Sequence, residues 1–196
     1  MPESARIAGS AALVGWVVSA LPGSAAESGE GLASRLQRAL EMPAHRLLMT
    51  TLGDGPRRPA PFVTDGCSGG MSAIWSTVSE LVPGVAGTIG DLPPWEACCE
   101  AHDLVYHVAD GARDAAESYD ARLEADEELR RCVIGTGAER APEIAERHGL
   151  TPASVAIVYG LIADAMYDAV RAGGAPCTGL PWRWGYGFDH CLGLQR

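Results

Sequence analysis

Apolar positions recur along this chain mostly at intervals of three and four residues, the spacing of helices that bury one face. Leu32, Leu36 and Leu40, followed by Leu47 and Leu48, predict one or two amphipathic helices interrupted at Pro43. "GDGPRRPAP" is a connector dense in helix breakers, and "FVTDGCSGG" packs glycines around a cysteine in a tight loop with exposed backbone. "MSAIWSTVSEL" predicts a short helix that stops before Pro83. "GDLPPWEACCEAHDLVYHVAD" reads as a helix with proline in its first turn, broken at Gly111. "DAAESYDARLEADEELRRCVI" is a second long helix, rich in strong helix formers and i,i+4 charge pairs. A shorter helix covers "APEIAERHG". "TPASVAIVYGLIADAMYDAVRAGG" has a threonine cap at one end and a Gly-Gly stop at the other. The tail "APCTGLPWRWGYGFDHCLGLQR" is irregular, and its aromatic residues are expected to pack around a disulfide. No segment alternates as a strand does. The expected fold is mainly all-α, with two long helices joined by a short connection and lying antiparallel.

Near the N-terminus the pattern changes. The run from Ile7 to Leu21 is apolar apart from Ser10 and Ser19, then Pro22-Gly23 and the small residues Ser24-Ala25-Ala26 follow. That is short for a bilayer span and resembles the apolar core and cleavage site of a secretory signal, although "MPESAR" carries only one arginine beside one glutamate. The expected organisation is a signal or hydrophobic segment at 1–26, a helical segment at 27–60, a core at 61–135, and C-terminal helices with a closed tail at 136–196, the last three forming one domain. A length of 196 residues and an apolar fraction of 47% suit a single core.

Charge narrows the partners. The formal net charge is −10, and no basic stripe exists to release phosphate counterions, which argues against nucleic acid. The six cysteines, Cys67, Cys98, Cys99, Cys132, Cys177 and Cys191, form no Cys-x-x-Cys knuckle. Their even number points to disulfides in an oxidising compartment, with fifteen connectivities open. Zinc is disfavoured, because adjacent cysteines rarely both reach one tetrahedral ion.

The chemistry concentrates in "CCEAHDLVYH". Cys99, His102 and Tyr106 share one helix face, which is too polar for ordinary core unless its groups are satisfied. On the second long helix, Tyr119 and Asp126 also share a face. If the helices are antiparallel, Asp126 approaches His102, and a carboxylate on one imidazole nitrogen orients a general base. Asp103, one residue past His102, points off at about 100°, free to meet a hard cation. "DGCSGG" offers backbone oxygens for the same ion.

Together these residues resemble the secreted phospholipase A2 family. "CCEAHDLVYH" is similar to its active-site helix signature, Cys-Cys-x-x-His-Asp-x-x-Tyr. "DGCSGG" resembles its calcium loop, and "ADEELRRC" its second-helix pattern. The resemblance covers roughly 62–134, and the three motifs fall in the family's order. It implies calcium-dependent hydrolysis of the sn-2 acyl ester of glycerophospholipids at a membrane or micelle interface, by a secreted enzyme. His102 would activate water and Asp126 would orient His102, with Tyr106 and Tyr119 bonding Asp126. Asp103 would bind Ca²⁺ with the carbonyls of Gly66, Ser68 and Gly70, while the Ser68 N–H faced the oxyanion. The implied disulfides are Cys67–Cys99 and Cys98–Cys132, leaving Cys177 with Cys191. Val105 stands where the family usually has cysteine, Ser68 where its loop usually has glycine, and the stretch from Cys67 to His102 is longer than in compact members. That insertion is expected to form a helix around Trp75 lining an acyl channel. The alternative reading is the same scaffold without turnover, used as a binding or toxin-like module.

Overall fold

In the computed structural model the described residues are 31–53, 58–67 and 93–191. The expected signal segment, the helix around Trp75, and the loop residues Ser68 and Gly70 lie outside them. The chain is mostly helical, with no strand among the described residues. Among the described residues the helices are α1 (Leu32–Leu52), α2 (Glu96–Val108), α3 (Ala115–His148) and α4 (Pro152–Gly173), with a short 3₁₀ turn at Ala109–Gly111 after α2.

α1 corrects the expected break at Pro43: the helix runs through it. Contacts on both sides of the proline hold the helix. Glu41 pairs with Arg122 and Arg171, His45 Nδ1 lies 2.8 Å from Ser118 Oγ, and Leu48 is buried. Tertiary contacts of this kind outweigh a local propensity cost of about 3 kcal/mol. The buried face is also not the leucine stripe. Leu32, Leu36 and Leu40 are exposed, while His45 and Leu48 face inward.

α3 is one helix where two were expected, continuing through Gly135, Gly137 and Pro142. Its start is set by Asp114, whose carboxylate accepts from the N–H groups of Ala116 and Glu117. Gly137 serves close approach to α4: a Cβ there would lie 2.4 Å from Tyr159 Cβ. Val133, Ala141 and Ala145 are buried in the same core as Tyr159 and Ala163 of α4. This small-residue seam accompanies a helix that continues past residues that punctuate free sequence. α4 begins as expected, with Thr151 Oγ1 accepting from Ser154 N–H. By length and composition α4 could also cross a membrane. Here one face packs on α3 and the other leaves Ile157 and Leu161 exposed.

Three disulfides join Cys67–Cys99, Cys98–Cys132 and Cys177–Cys191. The first ties the loop before residue 68 to α2, and the second ties α2 to α3. The tail is pinned to the end of α2. Gly185 N–H donates to the Tyr106 carbonyl and Gly187 N–H to that of His107. Trp184, Tyr186 and Phe188 are buried in a second core cluster with Leu48 and Tyr106, as the tail's aromatic character suggested.

Candidate active site

α2 and α3 approach along a line of paired positions. Cys98 meets Cys132, His102 meets Asp126, and Tyr106 meets both Asp126 and Arg122. His102 Nε2 lies 2.9 Å from Asp126 Oδ1, and the Tyr106 hydroxyl donates to the same oxygen at 2.6 Å. A carboxylate only accepts, so neutral His102 carries its proton on Nε2 and leaves a lone pair on Nδ1. Nδ1 is 4.0 Å from Asp103 Oδ1. Burial works to lower the His102 pKa, but the contacts with Asp103 and Asp126 outweigh it and raise the pKa above the usual imidazole value. Burial, with the Asp126 charge, pushes the Tyr106 phenol well above its usual value, so it stays a donor.

Asp103 faces the glycine loop. Its Oδ2 accepts from Thr64 Oγ1 at 2.5 Å, and Thr64 Oγ1 in turn accepts from Gly66 N–H at 2.9 Å. Gly66 has φ +62°, a backbone conformation that favours glycine, and a Cβ there would displace the Glu96 carboxylate, 1.7 Å away. The Glu96 carboxylate also accepts from Cys67 N–H at 3.4 Å. One cleft is lined by Asp65, Gly66, His102 and Asp103 on its polar side and by Leu129, Met166, Val170 and Trp182 on its apolar side. The structure therefore brings His102, Asp103, Asp126, Tyr106 and Gly66 together. Ser68 and Gly70 lie outside the described residues.

The donor set suits a hard cation. Asp65 and Asp103 line one cleft with Gly66, and every cysteine is in a disulfide, so none offers a thiolate. Among the described residues no cluster of three histidine, cysteine, aspartate or glutamate side chains exists, so a cation here would also need carbonyl ligands.

Tyr119 is buried, and its ring packs edge-on against His45 and beneath the Arg171 guanidinium. Asp126 Oδ2 is taken by Arg171 Nη1 at 2.9 Å. Arg171 Nη2 reaches Glu41 Oε1 at 2.7 Å, and Glu41 also pairs with Arg122. Arg122 Nε donates to the Tyr106 hydroxyl at 3.1 Å. Sequence reasoning missed Glu41, Arg122 and Arg171. Two signals existed: Arg122 stands one turn before Asp126 on the same face, and Arg171 is the sole cation in α4. Glu41 carried none. His45 is fully buried beneath this network; burial, the largest influence, lowers its pKa and favours the neutral ring.

Burial alone would raise the Glu41 pKa, but the neighbouring His45 ring and the Arg122 and Arg171 charges bring it down to about 2. A folded pKa below the usual 4.5 means stabilisation that is complete above pH 4.5 and is lost as pH falls toward 2. Urea midpoints measured across that window should fall more steeply for the wild type than for Glu41→Gln. Parallel curves would show that Glu41 is not charged in this network.

No family model, curated protein or solved structure matches this chain.

Proposed function

We propose that this chain is an exported, calcium-dependent hydrolase of the phospholipase A2 type, cleaving the sn-2 acyl ester of glycerophospholipids at an aggregated lipid surface. One observation carries the reading: His102 Nε2 is held 2.9 Å from Asp126 Oδ1 while the next residue, Asp103, faces the Gly66 loop across the same cleft. The supporting frame is an antiparallel, disulfide-linked pair of helices. The pairs 98/132, 102/126 and 106/122 run in opposite directions along α2 and α3.

His102 Nδ1, unprotonated, takes a proton from a water in the cleft as that water's oxygen attacks the ester carbonyl. Asp126 accepts from Nε2–H and stabilises the imidazolium that forms. Tyr106 keeps Asp126 in place. The proton on Nδ1 then passes to the departing lysophospholipid alkoxide, which frees the fatty acid. Calcium would be held by the Asp103 carboxylate with carbonyls of Gly66, Ser68 and Gly70, and bound there it supplies positive charge to the ester oxygen. Leu129, Met166 and Val170 offer an apolar wall to the acyl chain. Exposed Ile157, Val158 and Leu161 on α4 add apolar surface suited to lipid. The disulfides fit an oxidising, extracellular setting.

The test is fatty-acid release from phosphatidylcholine vesicles by the oxidised protein, with calcium and then with excess chelator. Release that stops on chelation is expected. A folded, fully disulfide-bonded sample that releases no fatty acid with calcium, on zwitterionic or anionic vesicles, would sink the hydrolase reading and leave a lipid-binding scaffold.

A further inference from the structure

We propose that Arg171, at the end of α4, is a positioning residue for the His102–Asp126 pair, held in place by Glu41 of α1 and by Arg122.

The contacts close into a ring. Asp126 Oδ1 receives His102 Nε2 and the Tyr106 hydroxyl, and Oδ2 receives Arg171 Nη1 at 2.9 Å. Arg171 Nη2 passes to Glu41 at 2.7 Å, Glu41 to Arg122, and Arg122 Nε back to the Tyr106 hydroxyl at 3.1 Å. Holding both carboxylate oxygens fixes the plane of Asp126, which in turn fixes the imidazole. Hydrogen bonds to Oδ1 alone would leave that plane free to rotate.

Arg171 is itself placed by backbone. Arg122 Nη2 donates to the carbonyls of Val170 at 2.6 Å and Arg171 at 3.0 Å, in the last turn of α4; the Val170 carbonyl also accepts from the Gly174 N–H at 2.8 Å. One arginine thus locates the end of α4, and the other returns from it to the site. Two carboxylates, Glu41 and Asp126, meet two guanidiniums, so the network is charge-balanced although Arg122 and Asp126 are fully buried. Only a planar fork reaches Asp126 and Glu41 at once; a lysine ammonium at 171 could satisfy one of them well.

A network that served stability alone would leave turnover of the folded protein unchanged. Arg171→Met, Arg171→Lys and Glu41→Gln in the full, oxidised chain separate the two roles. Rates are read on dispersed short-chain phosphatidylcholine with calcium, well below each variant's melting temperature. Arg171→Met should lower kcat about 10–100-fold, as loss of a supporting partner does elsewhere, with KM changed less than about twofold. Arg171→Lys should recover part of the loss. If Arg171→Met does not fold, Glu41→Gln carries the test with an intermediate loss of kcat. Wild-type kcat in every folded variant would overturn the proposal.

The kinetic arm rests on the hydrolase reading; a second arm does not. At one alkaline pH, the downfield proton resonance of His102 Nε2–H reports the hydrogen bond to Asp126. It should move or vanish in Arg171→Met and return toward its original position in Arg171→Lys. A wild type without turnover whose resonance behaves this way retires the hydrolase and keeps the positioning role. A resonance unmoved in both variants overturns that role whether or not the protein hydrolyses lipid.

Discussion

Replacing His102 with glutamine is expected to remove at least about 10²–10⁴-fold of the calcium-dependent fatty-acid release, the contribution typical of a general base. Glutamine suits the test because it separates chemistry from structure. Its amide can still donate to Asp126 Oδ1, so the buried carboxylate keeps a partner and the ring of contacts through Tyr106, Arg122 and Arg171 stays closed. The amide cannot take a proton from water. Stability should therefore change by only about 1 kcal/mol, near the net worth of one hydrogen bond, while turnover collapses. His102→Gln that hydrolyses at the wild-type rate would place the chemistry elsewhere in the cleft, with the His102–Asp126 contact kept only for structure.

Asp126→Leu should be the most destabilising single change in the site. It leaves a buried guanidinium at Arg171 with Glu41 as its remaining acidic partner, and it strips the acceptor from both His102 and Tyr106. Removing one member of a buried ion pair costs about 3–5 kcal/mol, a large part of the 5–15 kcal/mol typical of a domain. Arg171→Met should cost a similar amount for the mirror-image reason. The double variant should cost clearly less than the two single costs together, because apolar groups then replace both charges. Urea unfolding of all four proteins, disulfides intact, gives the coupling. Simple additivity would show that Arg171 and Asp126 do not depend on each other in solution.

Much of this layout was legible along the chain. α2 followed from its breakers and periodicity, and the start of α4 from its threonine cap. The approach of Asp126 to His102 followed from two helical faces and the assumption that the helices oppose each other. The cysteine pairs matched those implied by resemblance to a family whose motifs the sequence carries. Where reading failed, local signals were overruled from a distance. Gly137 looks like a stop, yet it is the contact point for Tyr159. Pro43 looks like a break, yet Glu41 and His45 tie down the turn around it. The leucine stripe of α1 announced a helix but named the wrong face, because the inward positions carry the polar groups that meet Arg122, Arg171 and Ser118.

Helix identity, the placement of His102 beside Asp103, and the shared face with Tyr106 are matters of spacing within a few residues, where backbone geometry alone decides. The plane of the Asp126 carboxylate is not. It depends on Arg171, 45 positions away, and through it on Glu41, a further 130 positions back. Their meeting depends on how α1, α3 and α4 pack, and three-to-four-residue periodicity holds no information about contacts across such separations.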